Sequence, residues 1–254
     1  MNPAEYDIMA SIEGTHWWFC GLRGLITQTL RKQRFAIPEG ANVLDAGCGT
    51  GGNLQLLQAV LSPSYLGGFD RSWRAVDYSR NKNPKADVYI SDLCDPEIHV
   101  ESLNLILSCD VIYIPGFARC FDGLAKLVAH LRTGGLFIVN LPAYNWLLCE
   151  FDLAYHGIER YTATQIRSQL TRLGLSVELL TYRVCFLFPA VVLQRLPSFL
   201  GPTPKMEEAT SSMNSPWKIT NSILKVYQDI ENKAVQLGIS LPWGSSVFAV
   251  GRKT

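Results

Sequence analysis

The run VLDAGCGTGGN at residues 43–53 holds residue types at a spacing that fits one kind of chemistry. Gly47, Gly49 and Gly52 have the G-x-G-x-x-G spacing that lets a backbone turn come close to a nucleotide-like ligand. Dinucleotide-binding enzymes share that spacing, so the glycines alone do not choose a cofactor. Asp45 does. A carboxylate buried two residues before the first glycine repels a pyrophosphate, yet suits a cationic cofactor that carries an ammonium group. S-adenosylmethionine (SAM) is such a cofactor and NAD is not. Cys48 and Asn53 belong to the same expected cofactor wall.

Further acids follow at strand ends. A ribose with free hydroxyls calls for a carboxylate about 20 residues past the glycines. Asp70 closes the apolar run 65–69 there, with Arg71 beside it. Residues 87–90 lead into Ser91-Asp92-Leu93, and 103–107 lead into Ser108-Cys109-Asp110, whose backbone is expected to floor the cofactor. Any one of these aspartates reads singly as a turn or helix cap. In this order they read as a site.

The elements that must position them alternate. Strands are expected at 43–44, 65–69, 87–90, 103–107, 136–140, 175–182 and 246–252. Helices are expected at 54–61, 119–131 and 164–173, the last ending at Gly174. That alternation argues for a parallel sheet covered on both faces, with the ligand outside the carboxyl ends of the strands. The expected fold class is α/β and Rossmann-like: a mostly parallel seven-stranded sheet, helices on both faces, and N-terminal and C-terminal caps. The division that follows is a helical lid at 1–40, a cofactor-binding core at 41–183 and 245–254, and a cap insertion at 184–244. The lid, the loop 141–162 and the cap are all expected to gather over the cofactor and set substrate choice. The Pro/Ser/Thr-rich stretch 197–216 reads as a mobile loop.

The chain of 254 residues is 48% hydrophobic, enough for one elaborated domain with a full core. A formal net charge of +1 without a Lys/Arg block gives no electrostatic footing for nucleic acid. Seven cysteines with no C-x-x-C pair indicate neither a metal site nor a disulfide framework. Reduced thiols, with acids and no apolar core segment at the N-terminus, read as cytoplasmic. The most apolar stretch, 182–200, is broken by Arg183, Pro189, Arg195 and Pro197 and falls short of the ~20 apolar residues that span a bilayer. It reads as a strand running into a cap, with peripheral membrane contact by 184–200 left open.

D-x-G-x-G-x-G, here Asp45, Gly47, Gly49 and Gly51, resembles the first motif of the class I SAM-dependent methyltransferases. YDIMASIEGTHWWFCGLR at 6–23 resembles the N-terminal signature of bacterial small-molecule members, an E-x-x-H-W-W-F run followed by an arginine. Residues 141–162 and LPWGSSVFAVGRK at 241–253 are similar to later segments of the same proteins. The resemblance implies a SAM-dependent methyltransferase, with S-adenosylhomocysteine (SAH) as product, serving natural product or cell-envelope metabolism. It also implies that Asp92 lies near the adenine amino group. The chain departs from the pattern after the fourth strand, where Asp110-Val111-Ile112-Tyr113-Ile114 stands in place of D-V-L-E-H. Asn104 replaces the usual Asp of that strand, and the arginines expected before R-Y-T reduce to Ile158-Glu159-Arg160.

Methyl transfer from a sulfonium asks mainly for in-line alignment. A proton acceptor is needed when the nucleophile is a hydroxyl or an ammonium. Of four histidines, His99 and His130 read as solvated. His156, with Asp152 four residues before it, is the favoured base or substrate orienter, weighed against a merely structural hydrogen bond. His16 sits among Trp17, Trp18 and Phe19. That cluster reads either as a staple of the N-terminal helices onto the core or as a lid. In the lid reading Trp18 helps cover the cofactor, a cation–π contact reaches the sulfonium, and Arg23 meets the SAM carboxylate. Tyr161 and Tyr144 are expected in the acceptor pocket, so the catalytic set is His156, Tyr161 and His16.

The expected reaction is O-methylation of a small metabolite, a carboxylate or a short peptide's C-terminus. N-methylation, an NAD oxidoreductase and a SAM-binding protein without turnover are the alternatives. Against the oxidoreductase stand Asp45 and the lack of a Tyr-x-x-x-Lys pair in a helix after the fourth or fifth strand.

Overall fold

Apolar runs too short for a helix become the strands of one sheet, buried on both faces. The computed structural model describes residues 2–200 and 217–254. Strands β1 (Asn42–Ala46), β2 (Tyr65–Asp70), β3 (Asp87–Ile90), β4 (Leu103–Cys109) and β5 (Leu131–Pro142) pair in parallel. β6 (Leu175–Arg183) lies at the far edge, and β7 (Ser246–Lys253) is antiparallel to both β5 and β6. The order β3-β2-β1-β4-β5-β7-β6 places the topological switch between β1 and β4, where an open α/β sheet offers its ligand crevice.

Alternation along the strands sorts side chains into two cores. Ile106, Phe137 and Val139 join Leu124 and Leu127 of α5 (Phe117–His130) on one face. Leu105, Leu107 and Ile138 join Leu54 and Leu57 of α3 (Gly52–Leu61) on the other. Each fully buried leucine contributes about 1.5–3 kcal/mol. The strand ends that carry the site are therefore held from both sides.

Local chemistry sets the boundaries that apolar period alone misplaces. α7 (Ala163–Arg172) opens on a capping box: Thr162 Oγ1 accepts from the Gln165 N–H, and Gln165 Oε1 accepts from the Thr162 N–H. The helix accordingly starts one residue before the expected 164. α4 (Trp73–Lys82) was not among the expected helices, because only Ala75, Val76 and Ser79 are buried and so narrow a stripe leaves little period. β5 begins at Leu131, not 136, since Leu131 already pairs with Leu103 before the register shifts near the positive-φ Gly134.

Helices α1 (Pro3–Ile12) and α2 (Trp17–Leu30) precede the sheet. A short α6 (Glu150–Ala154) follows β5, and α8 (Phe188–Leu200) and α9 (Lys218–Gln236) lie between β6 and β7. α9 packs on α2. Asn232 Nδ2 donates to the Gly21 carbonyl at 2.8 Å, and Asn221 Oδ1 accepts from the Trp17 N–H at 2.9 Å. Gly21 makes the approach feasible, since a Cβ there would lie 2.6 Å from Gln228 Oε1. α9 thus braces α2, and no described residue of 217–244 enters the wall of the main cavity. That differs from the expectation that the whole cap gathers over the cofactor. The loop expected at 197–216 begins inside α8 and otherwise lies outside the described residues. No described helix is long and apolar enough to cross a membrane.

Candidate active site

A cavity of about 1010 Å³ opens at the carboxyl ends of the strands, with α1 and α2 as its roof. Its inner edge is the glycine turn. Gly47, Gly49 and Gly51 have φ of 84°, 53° and 88°, while Gly52 has no positive φ and begins α3. The positive-φ positions therefore follow D-x-G-x-G-x-G, and Gly52 serves close approach instead. At Gly47 a Cβ would sit 2.3 Å from Val111 Cγ2, so the backbone could not close over the strand with any other residue.

Asp45 lies beneath this turn, fully buried, and neither carboxylate oxygen has a partner among the described residues. Burial, with Asp70 and Glu13 nearby, pushes its carboxyl up to about 8. It is absent from the cavity wall, so it acts on a ligand through the turn rather than by touching it. Glu13 is ion-paired with Lys82, so Asp45 and Asp70 are the acids left to the turn, and a cationic ligand favours their ionised forms whereas a pyrophosphate opposes them.

Asp70 is half-buried in the wall. Its Oδ2 accepts from the Gly49 N–H at 3.2 Å and its Oδ1 from the Ser72 N–H at 2.9 Å. Burial raises its carboxyl above the usual range. Asp92 is exposed at the far end of the cavity, where Oδ1 accepts from the Cys94 N–H at 2.9 Å beside Leu93 and Arg71. Cys48, Asn53 and Cys109 also reach the wall. The cofactor residues expected from strand-end spacing, Asp45 excepted, thus meet in one cavity.

The N-terminal helices complete it. His16 caps α2, its Nδ1 accepting from the Trp18 N–H at 3.3 Å. Burial, with Lys225 nearby, pushes its imidazole down to about 4. His16 thus stands in the cavity wall with its Nδ1 committed to capping α2. Arg23 donates to the Glu13 carbonyl, and Glu13 is ion-paired with Lys82. Glu13 also crowds Gly52, where a Cβ would lie 2.4 Å from its Oε2. Glu13 opens the E-x-x-H-W-W-F run, which by itself assigned it no role in the site.

The other half of the cavity is built around Asp110. This residue has φ 55° and is half-buried, with Oδ1 accepting from Asn140 Nδ2 at 2.9 Å and the Trp18 indole as a further donor. Burial pushes its carboxyl up to about 6 against the opposing pull of Arg183. Arg183 is fully buried. It donates to Asn140 Oδ1 and Gln228 Oε1, each at 3.2 Å, and its Nε has no partner among the described residues. The buried hydroxyls of Ser245 and Ser246 are likewise without partners there, and both residues stand in the wall. Asn140, Arg183 and Ser246 lie in neighbouring strands joined by β7, a relation that only the folded topology creates.

His156 lines the cavity with φ 59°, its Nε2 2.9 Å from Asn2 Oδ1. Burial lowers its imidazole below the ordinary range. Asp152 is no partner for it: that carboxylate takes two bonds from Arg160, at 2.7 and 3.0 Å, and one from the Cys149 N–H. Tyr161, expected in the acceptor pocket, is not part of the cavity wall. Its hydroxyl donates to Glu159 and accepts from the Phe117 N–H, and the residue is buried. Tyr144 is stacked on Tyr182 with ring centroids 5.3 Å apart, also away from the wall. His99 pairs with Asp87 and His130 with the Lys126 carbonyl, both elsewhere.

With this geometry in view, the likenesses are specific. Residues 43–135 match a family described as "Methyltransferase domain". A trans-aconitate 2-methyltransferase of an Acidovorax species is 26% identical over 132 residues, covering 52% of this chain and 48% of that protein. A dTDP-4-amino-2,3,4,6-tetradeoxy-D-glucose N,N-dimethyltransferase of Saccharopolyspora spinosa is 24% identical over 139 residues, covering 53% and 52%. The chain thus spans about half the length of the curated relatives it matches. A TehB-like SAM-dependent methyltransferase of Corynebacterium glutamicum superposes along all of both chains with TM-score 0.56 at 16% identity. The chain has an α/β, Rossmann-like fold similar to that of solved SAM-dependent methyltransferases.

Proposed function

We propose that the chain is a SAM-dependent methyltransferase that O-methylates a small molecule. The observation that carries this is the acid-flanked glycine turn, Asp45 with Asp70, set at the switch point of the sheet beneath a cavity large enough for two ligands. Asp70 would hold the ribose hydroxyls, Asp92 the adenine edge, and Arg23 the amino-acid carboxylate. SAM supplies the methyl group and a leaving group that departs as a neutral thioether.

The chain's own task is then to align and deprotonate the acceptor. Asp110 faces the cavity with one oxygen held by Asn140, so it can take the proton of an acceptor hydroxyl as the new C–O bond forms. Ser245 and Ser246, each with an unpartnered hydroxyl among the described residues and both in the wall, would meet a second polar atom of the acceptor. Trp18 and the roof helices exclude water. His156 orients α1 through Asn2.

A second reading, transfer to a carboxylate, is favoured by one feature. Arg160 and Arg195 share the single carboxylate of Asp152 in the wall, which leaves a surplus cation for an anionic acceptor and removes the need for a base.

Calorimetric titration with SAH and with NADH, on the wild type and on Asp70→Ala, tests the cofactor. Micromolar SAH binding that collapses in the variant is the expected result. No SAH binding, or a preference for NADH, returns the turn to the dinucleotide reading. SAH binding with no transfer to any phenol, carboxylic acid or amine probe would leave a SAM-binding protein without turnover.

A further inference from the structure

α9 is built largely inside out. Of the four residues that it buries, Gln228, Glu231 and Asn232 are polar and each 2% exposed or less, and Val235 is apolar. The three polar groups are all engaged. Asn232 holds the Gly21 carbonyl, Gln228 meets Arg183 and Glu231, and Glu231 accepts from the Val184 and Cys185 N–H groups at 2.9 and 2.6 Å. The opposite face carries Ile219, Ile223, Val226 and Ile230, between 59% and 63% exposed, and Leu237 continues the row. A surface helix normally turns these two faces the other way. The apolar surface does not stop at α9. Phe186, itself exposed, donates its N–H to the Tyr227 hydroxyl with the two rings 6.1 Å apart, and leads into α8 with exposed Leu193. Exposed Trp217 and Trp243 flank α9 in the chain.

We infer that this face docks on an anionic lipid surface. Two features choose lipid over a second copy of the chain. Lys233 stands in the apolar row, four residues before Leu237 and three after Ile230. In a helix pair that lysine would be buried in the seam, whereas at a bilayer its stem lies on the acyl boundary and its ammonium snorkels to the headgroups. Second, charge is complementary. Lys218 and Lys233 are exposed on α9 against Asp229 alone, because Glu231 is turned inward. Exposed tryptophans before and after the helix in the chain suit the same interface. The face also adjoins the site, since α8 puts Leu193 outside while Val191 and Arg195 enter the cavity wall.

The inference goes beyond methyl transfer and does not rest on it. The test is flotation of the full chain with vesicles of phosphatidylcholine, alone and mixed with phosphatidylglycerol, for the wild type and for Ile223→Gln/Ile230→Gln. The wild type is expected to float with the anionic vesicles. Partitioning of the double variant is expected to fall about a hundredfold or more, the worth of two buried isoleucines, with SAH affinity unchanged. A wild type that stays in vesicle-free fractions, or a variant that floats equally well, overturns it. So does a wild-type dimer in sedimentation equilibrium that the variant dissolves, which assigns the face to a second copy. Vesicle binding without SAH binding would instead remove the proposed function and leave this surface standing.

Discussion

Asp45 and Asp110 are both carboxyls raised by burial, and the direction of each shift fixes a measurable pH dependence. Asp45 rises from a model-peptide value near ~3.9 to about 8 in the fold. The folded ligand-free chain therefore holds a proton that the unfolded chain has released, and stability falls as pH rises between those values. Urea unfolding of the ligand-free protein should show that slope, up to about 1.4 kcal/mol per pH unit, and Asp45→Asn should flatten it. An unchanged slope in the variant would mean that Asp45 is solvated. Asp110, pushed up to about 6, must be ionised to accept a proton, so turnover should rise with pH through that value. Asp110→Asn should lower kcat by about 10²–10⁴-fold with SAH affinity kept, while His156→Ala stays within about tenfold of wild type. The reverse order would make His156 the base. Asp70 and Asp92 were legible because each sits at a fixed distance along the chain from a strand end. Glu13, Asn140, Arg183 and Ser246 were not, because only the strand order and the roof helices bring them to the site.

At the scale of elements, what was legible followed from burial. Short apolar runs bounded by turn residues announce themselves, as β2 and β3 do within a residue or so, and large apolar residues at helical spacing mark α7, where Ile166 and Leu170 are buried. α4 did not, because its buried residues are the small Ala75, Val76 and Ser79, and α9 escaped because three of its four buried residues are polar. The α2–α9 contact makes its own prediction. Gly21→Ala puts a methyl group within 2.6–2.9 Å of Gln228 side-chain atoms that are themselves bonded to Arg183 and Glu231. The expected cost is about 1–3 kcal/mol, read as a lower urea midpoint at unchanged slope. A neutral result would show that α9 slides freely along α2.

For the whole molecule, the cavity roof and floor come from opposite parts of the fold: α1 and α2 above, the strand ends below. A ligand gripped between them should couple the two. Hydrogen exchange with saturating SAH should slow in Tyr6, Met9 and the start of α2, His16 to Arg23, as well as in the glycine turn. Protection confined to the glycine turn would mean that the roof stands apart from the cofactor.

The sheet order carries one more consequence. β7 is made last of the seven strands, yet it lies between β5 and β6 and pairs with both. While the ribosome is still translating the cap, the nascent chain holds two unpaired strand edges rich in leucine and valine, each a template for a wrong partner. The final eight-residue strand is therefore the latch of the fold, and a message truncated before it should yield aggregate rather than a smaller version of the same protein.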